Sequence, residues 1–511
     1  MADGRAAARR VATPRHAAAT APSGSARPSG PRSSEPRPSA ALPEETWSRA
    51  HDELIESLRA LIRIPSVNPP DPPGGELAAA RWIAAELADA GLQPTVFEPV
   101  AGRGSVVARL RGDGTGGEPL LLLSHLDVVP APLDRWTHDP FAADVAGGYV
   151  YGRGAVDMKD LVAMELAVMR LLAAEARAAG RDPASDPIPG LRRDVLFAST
   201  ADEEAGGLAG AGWLAANHPE HLRAAAAINE SGAVSVHAGG LRLYPIQTAE
   251  KGYSVYRLTV RGTWGHGSMP RDDNAAVLAA DVIRRLAVPG DVRLTGTMMA
   301  FLEGAATALA ADSPDAARAI HALASGDERA FRLVADRLCS PVYVRAASAL
   351  VRDTISTGVV RAGIKYNVIP GEATIELDVR RLPGSDEPTT RAELVRRLGS
   401  ELAGRTAIEL VISADGLEAP FDADVPLYPV LADAVLAADP DGVPLPIMAP
   451  YATDAKHLVD LGVPVYGFSP LRQPPEETYL DRFHGVDERV SVEGLRWGLP
   501  VLYDAVRRFC G

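Results

Sequence analysis

The apolar positions of this chain follow two rhythms that alternate along it. Trp47, Leu54, Leu58, Leu61 and Ile62 recur at helical spacing, as do Trp82, Ile83 and Leu87 within residues 76–90. Residues 95–97, 105–110, 120–123, 194–199 and 224–228 are instead short apolar runs bounded by turn residues, which predicts strands. The strongest run opens LLLLSHLDVVP, residues 120–130. Four leucines without polar alternation predict a strand buried on both faces inside a parallel sheet, and Pro130 stops its pairing. Helical patterns return at residues 161–172 and from about 491 to 509. Helices alternating with strands predict an α/β, doubly wound main domain.

Between residues 248 and 415 the rhythm changes. GYSVYRLTVRG and ATIELDVRRLPG alternate like half-exposed strands, with helices predicted over 274–286 and 391–403. This is an inserted α+β unit that separates residues 44–247 of the main domain from residues 416–511. Within the insertion, residues 297–349 are alanine-rich and helical, with no role that the sequence suggests.

Composition narrows the class. Apolar content of 46% and charged content of 23% suit a soluble globular protein. A net charge of −14 argues against a nucleic-acid partner, and no apolar run is long enough to cross a membrane. Two distant cysteines, Cys339 and Cys510, make neither a disulfide framework nor a thiolate metal site. Residues 1–43 are Arg, Ala, Pro and Ser with almost no large apolar side chain, so they read as a disordered tail. The tail lacks the apolar core of a secretory signal, and a transit peptide and an over-extended start both fit it. The expected location is the cytoplasm.

Chemistry gathers at strand ends. The leucine strand ends in His125 and Asp127, which an extended chain points to one side. YGRGAVDMKD places Asp157 at a strand-to-helix junction, and RRDVLFASTADEEAGG places Asp202, Glu203 and Glu204 after another apolar run. AAAAINESGA ends in Asn229 and Glu230. Taken singly, these read as helix caps or a solvated acidic loop. Four together, at the edge where open α/β sheets build sites, call for a neutralising cation. Mixed His and carboxylate donors suit zinc first. His484 stands in a loop before the last helix, while His138, His218, His221, His237 and His321 sit in polar or helical surroundings.

SHLDVVP, YGRGAVDMKD, ADEEAGG, NESG and RFHGVDE, in this order, resemble the dinuclear-zinc aminoacylase/carboxypeptidase family. That family includes acetylornithine deacetylase, succinyl-diaminopimelate desuccinylase and carboxypeptidase G-type enzymes. The resemblance implies a zinc-peptidase-like catalytic domain with an inserted lid that forms a homodimer. It implies that Asp157 bridges two zincs, with His125 and Glu230 completing one and Glu204 and His484 the other; cobalt or manganese are possible substitutes. Asp127 would orient His125 through its carboxylate, and Glu203 would be general base and acid. Two cations about 3.5–4 Å apart, sharing a carboxylate, leave room for a bridging water whose pKa they lower. In the lid, His266 of WGHGSMP would hold the oxyanion, commonly from the partner subunit, and Asn367 and Arg380 would hold a substrate carboxylate. The alternative for Arg380 is an edge-strand salt bridge. Asp454 in ATDAKHL and Ser469 in YGFSP would line the substrate side. Glu at 230, where aminopeptidase-like members carry Asp, favours removal of an N-acyl group or cleavage beside a free carboxylate. One departure is Asp160, where many members have glycine.

The expected activity is therefore hydrolysis of an amide beside a carboxylate-bearing amino acid, with an N-acyl amino acid or short peptide as substrate. A dipeptidase or aminopeptidase is the alternative. A non-catalytic binding protein on the same fold would carry a broken ligand set, and this set is intact.

Overall fold

A computed structural model describes residues 42–68, 75–327, 329, 341–421 and 427–511. The expected tail therefore lies outside the described residues except for Leu42 and Pro43.

The leucine run forms the strand Leu120–His125, and all six of its residues are buried. Leu120 and Leu122 pack into one hydrophobic core and Leu121 and Leu123 into another, so each face of the sheet has its own. Burying a leucine contributes roughly 1.5–3 kcal/mol, which explains why no polar residue interrupts the run. Val195–Thr200 and Ala226–Asn229 flank this strand in parallel, and Val465–Gly467 pairs in parallel with Ala226–Asn229. Arg103–Leu110 and Thr95–Val100 add antiparallel strands on one side, and Leu241–Glu250 and Leu417–Glu418 extend the other. The ten-stranded sheet is thus mixed, with a parallel centre around the leucine strand, as its sequence predicts, and antiparallel flanks.

Helices Glu44–Ile62, Lys159–Ala178 and Val492–Cys510 cover one face. The last is started by Ser491, whose side chain accepts from Gly494 N. A small sheet of Val145–Ala146, Tyr149–Tyr151 and Arg489–Ser491 ties the segment before Asp157 to the segment after His484.

A separate four-stranded antiparallel sheet runs in the order Thr354–Ala362, Glu372–Arg381, Gly252–Arg261, Thr406–Ala414. Helices Ala275–Leu286 and Glu387–Arg405 cover one of its faces through Val282, Leu286, Leu394 and Leu398. Its other face is open, which is why its strands alternate. Beside it lies a two-stranded ribbon of Gly265–His266 and Val368–Ile369.

The alanine-rich stretch behaves differently from its sequence neighbours. Helices Gly296–Leu309, Pro314–Ala324 and Pro341–Leu350 pack against Leu243 and Leu445, on strands Leu241–Glu250 and Gly442–Ala449 of the central sheet. Leu302, Ala305, Ala306 and Leu309 form the apolar stripe that makes this contact. A side chain at Gly304 would strike Leu445, its Cβ falling 2.4 Å from Leu445 Cδ2. Position in the chain groups the stretch with the lid; its packing joins it to the main sheet.

Candidate active site

His125 is the last residue of its strand, Glu230 follows Ala226–Asn229 directly, and Glu203 and Glu204 open the turn after Val195–Thr200. Three parallel strands therefore deliver their side chains to the same edge. Asp157 reaches that edge from the turn before helix Lys159–Ala178, and His484 from the loop before the last helix. His125 Nε2 lies 3.2 Å from Asp157 Oδ1 and 3.8 Å from Glu230 Oε2. His484 Nε2 lies 3.2 Å from Asp157 Oδ2 and 3.3 Å from Glu204 Oε1. Asp157 thus turns one oxygen toward each histidine. Within each of the groups His125/Asp157/Glu230 and Asp157/Glu204/His484, the donor atoms lie within 4.8 Å of one another.

The donor set fits two divalent cations. Among the described residues, His125 Nε2 and Glu204 Oε1 are buried without a hydrogen-bond partner. The proton affinities of the cluster are shifted by its own crowding. Burial, opposed by His125, pushes Glu230 up to about 7, and burial also raises Glu204. The carboxyls of Asp157 and Glu204 beside it push His484 up to about 10. Burial pushes Asp157 upward too, but the two histidines beside it outweigh it and hold the carboxyl below its ordinary range. Imidazole and carboxylate donors crowded at this density are the chemistry that binds zinc and its neighbours.

The supports of this cluster come from several segments. His125 Nδ1 lies 3.0 Å from the backbone carbonyl of Asp127, against 3.5 Å from its carboxylate. The Asp127 carboxylate accepts from Glu203 N at 3.1 Å, Glu204 N at 3.0 Å and Asn68 Nδ2 at 2.7 Å. Asp127 thus faces the imidazole with both its carbonyl and its carboxylate, and the carboxylate also fixes the acidic turn. Asp202 and Gly207 both have positive φ, at 72° and 76°. A side chain at Gly207 would place its Cβ 2.3 Å from Asp454 Oδ1, so only glycine closes the turn. Glu488 receives Val156 N at 2.9 Å, Asp157 N at 3.3 Å and Arg153 Nη1 at 2.6 Å, holding the Asp157 turn.

Glu203 and Glu204 diverge. Glu204 faces His484, whereas Glu203 Oε1 lies 3.4 Å from Lys456 Nζ. Burial and the charge of Glu230 raise the Glu203 carboxyl well above its usual range, against the pull of Lys456. Glu203 is therefore a carboxyl group of raised proton affinity beside the His/carboxylate cluster.

The remaining candidates are less direct. Arg380 grips Asp378 of its own strand, Nε to Oδ1 at 2.8 Å and Nη2 to Oδ2 at 3.1 Å, and lies over Tyr253. His266 is exposed, with Nδ1 2.7 Å from Ser268 Oγ, and the Asn367 carbonyl accepts from Gly267 N. Among the described residues, no hydrogen bond or ion pair joins His266, Asn367 or Arg380 to the acidic cluster. Asp454 and Ser469 are buried, as His125 is. Asp454 accepts from Thr200 Oγ1 at 2.7 Å, and Ser469 Oγ lies 3.5 Å from Asp160 Oδ2. Asp160, whose carboxyl burial pushes up to about 8, takes its place in this packing under the site.

A family model described as "Peptidase family M20/M25/M40" matches residues 121–508. The chain belongs to this family. Among M20 relatives, the N-fatty-acyl-amino acid synthase/hydrolase PM20D1 of Xenopus tropicalis is 27% identical over 467 residues, 88% of this chain and 85% of that protein. Mouse aminoacylase-1 is 26% identical over 425 residues, 82% of this chain and 88% of that protein. The M20 metallo-carboxypeptidase Sso-CP2 from Sulfolobus solfataricus shares the fold with a TM-score of 0.64 and 17% identity, over 90% of this chain and 99% of that one. Bacillus subtilis YXEP, described as a dinuclear metal-binding peptidase of the M20 family, aligns with a TM-score of 0.53 and 14% identity, over 90% and 98%.

Four polar residues at this M20 site carry no mark in the sequence pattern: Asn68, Lys456, Glu488 and Tyr451. Each acts on a residue far along the chain, such as Glu488 on Asp157, 331 positions away. Two signals are available: Lys456 stands two residues after Asp454, and Glu488 closes RFHGVDE, both in segments already singled out.

Proposed function

We propose that this M20 protein is a dinuclear zinc hydrolase that removes the acyl group from an N-acyl amino acid. The observation that carries this reading is one carboxylate, Asp157, shared by two His/carboxylate groups, with a further glutamate unshared beside them. His125, Asp157 and Glu230 would hold one metal, and Asp157, Glu204 and His484 the other. Bound there, the metals supply a water of lowered pKa and polarise the amide carbonyl. Glu203 takes the proton of the attacking water and delivers it to the leaving nitrogen; its raised proton affinity suits both halves of that transfer. Lys456 holds the Glu203 carboxylate in place through each exchange. The named activities of relatives, an N-fatty-acyl-amino acid hydrolase and an aminoacylase, support an acyl amino acid as substrate.

In this reading Arg380 leaves Asp378 for the substrate carboxylate, Asn367 assists it, and His266 serves the oxyanion from a second copy of the chain. Exposed Trp264, Met269, Ile364 and Tyr366 around the His266 ribbon support such a homodimer through the lid.

The test is metal content together with turnover of a panel of N-acyl amino acids and dipeptides. About two zincs per chain, deacylation of the panel, and a fall of about 10²–10⁴ in kcat for Glu203→Gln with metal retained are expected. Cleavage confined to substrates with a free amino terminus would move the reading to a dipeptidase. Full activity in the Glu203→Gln variant would sink the assigned base.

A further inference from the structure

The helices that the sequence leaves without a role enclose a cavity. It lies between Gly296–Leu309 and Pro341–Leu350 on one side and Leu241–Glu250 with Gly442–Ala449 on the other, and holds about 200 Å³. Phe301, Leu302, Leu350 and Met448 are typical of its walls, and among the described residues no charged side chain lines it.

One end of this cavity adjoins the loops that carry the candidate metal ligands. Ser231 and Gly232, which follow Glu230, belong to its lining, as do Tyr451 and Tyr479. Tyr451 Oη donates to Ser231 Oγ at 2.7 Å, and Tyr479 Oη donates to the carbonyl of Val156, next to Asp157, at 3.2 Å. Both phenols are thereby spent on the loops that carry Glu230 and Asp157, which leaves their rings to the apolar wall. The cations near the site lie elsewhere, with Lys456 against Glu203 and Arg380 in the lid. The two halves of an acyl amino acid sort themselves by this division. A carboxylate finds no partner in the cavity, whereas a hydrocarbon chain needs none.

We infer that this cavity receives the acyl chain of the substrate, so that the enzyme selects long acyl groups over acetyl. The inference rests on the hydrolase reading and adds to it the class of acyl group and the residues that choose it. The alanine-rich helices thereby gain a role, since small side chains such as Ala305 and Ala347 keep the space open.

The experiment is a series of N-acyl derivatives of one amino acid, from acetyl to dodecanoyl, turned over by the zinc-loaded full chain. Each methylene that enters the cavity is expected to raise kcat/KM by up to about fourfold until the space is filled. Ala347→Phe, and independently Ala238→Phe on the opposite wall, are expected to cut the dodecanoyl-to-acetyl ratio at least tenfold. Two walls are used because either replacement alone could disturb folding. Calorimetric titration with dodecanoate gives a second readout, with binding to the wild type and loss in both variants. Equal kcat/KM at every chain length, or a ratio untouched by both variants, overturns the cavity assignment and leaves the hydrolase standing. No turnover of any acyl amino acid overturns the hydrolase reading. Dodecanoate binding lost in the variants would then reassign the cavity to a free fatty acid, against the inference.

Discussion

Strand Leu120–His125 of the central sheet is buried at every position, whereas strand Gly252–Arg261 of the lid alternates between buried and half-buried residues. Both sheets carry acids. On the lid, Glu376 meets Arg257 and Asp378 meets Arg380, pairs that face water and balance charge locally. At the edge of the central sheet, Asp157, Glu204 and Glu230 pair with no arginine among the described residues and face two histidines instead. The same residue type therefore means different things in the two places. Paired acids on an open face contribute little beyond solubility. Unbalanced acids at the end of a sheet buried on both sides demand an outside charge, and the rigid strands hold them at the spacing that charge requires.

The contrast can be broken most severely at Asp157. Asp157→Asn weakens both His/carboxylate groups at once, and loss of bound metal with a fall of at least about 10³ in kcat is expected. Metal analysis of the purified variant would show it, and retention of two metals would contradict the shared-ligand reading. Next comes Arg381 in the lid, which is fully buried, unlike its neighbour Arg380, and donates to Ser385 O, Ser413 Oγ and Ala414 O. Arg381→Ala strands those acceptors and should cost about 3 kcal/mol in denaturant unfolding, with the metal groups intact.

A smaller effect is expected at Glu165, buried under the central sheet with Ser124 Oγ donating to it at 2.7 Å. Burial raises its carboxyl well above the ordinary value of 4.5, more than the Ser124 bond lowers it. Above pH 4.5 the folded chain keeps a proton that the unfolded chain has released, so this residue's contribution to stability falls as pH rises. Glu165→Gln should match wild type near pH 4.5 and exceed it by on the order of 1 kcal/mol at pH 8. An equal difference at both values would contradict a protonated Glu165. Smallest of all, Arg257→Ala on the lid should change stability by less than about 0.5 kcal/mol.

Much of the fold was legible because burial on both faces leaves a plain mark. The leucine run, the alternating strands at 252–261 and 372–381 and the capped terminal helix all announce themselves locally. The acids at strand ends could be gathered by reasoning that one crevice collects them. What local pattern cannot carry is which atom meets which. Nothing in LSHLD says that the carbonyl of Asp127 meets His125 while its carboxylate holds the next turn. Nothing in YGFSP says that Ser469 faces Asp160. The helices at 296–350 illustrate the same limit at larger scale, because their apolar stripe fits either sheet, and only Leu243 and Leu445, far apart in sequence, decide between them.

Glu488 and His484 reach Asp157 across more than three hundred residues of intervening chain. A ribosome making this protein completes His125, Asp157, Glu204 and Glu230, and then the whole lid, before it adds the histidine that closes the second group. Domains that fold during synthesis do so from the amino terminus. A growing chain can therefore hold a half-built centre at most.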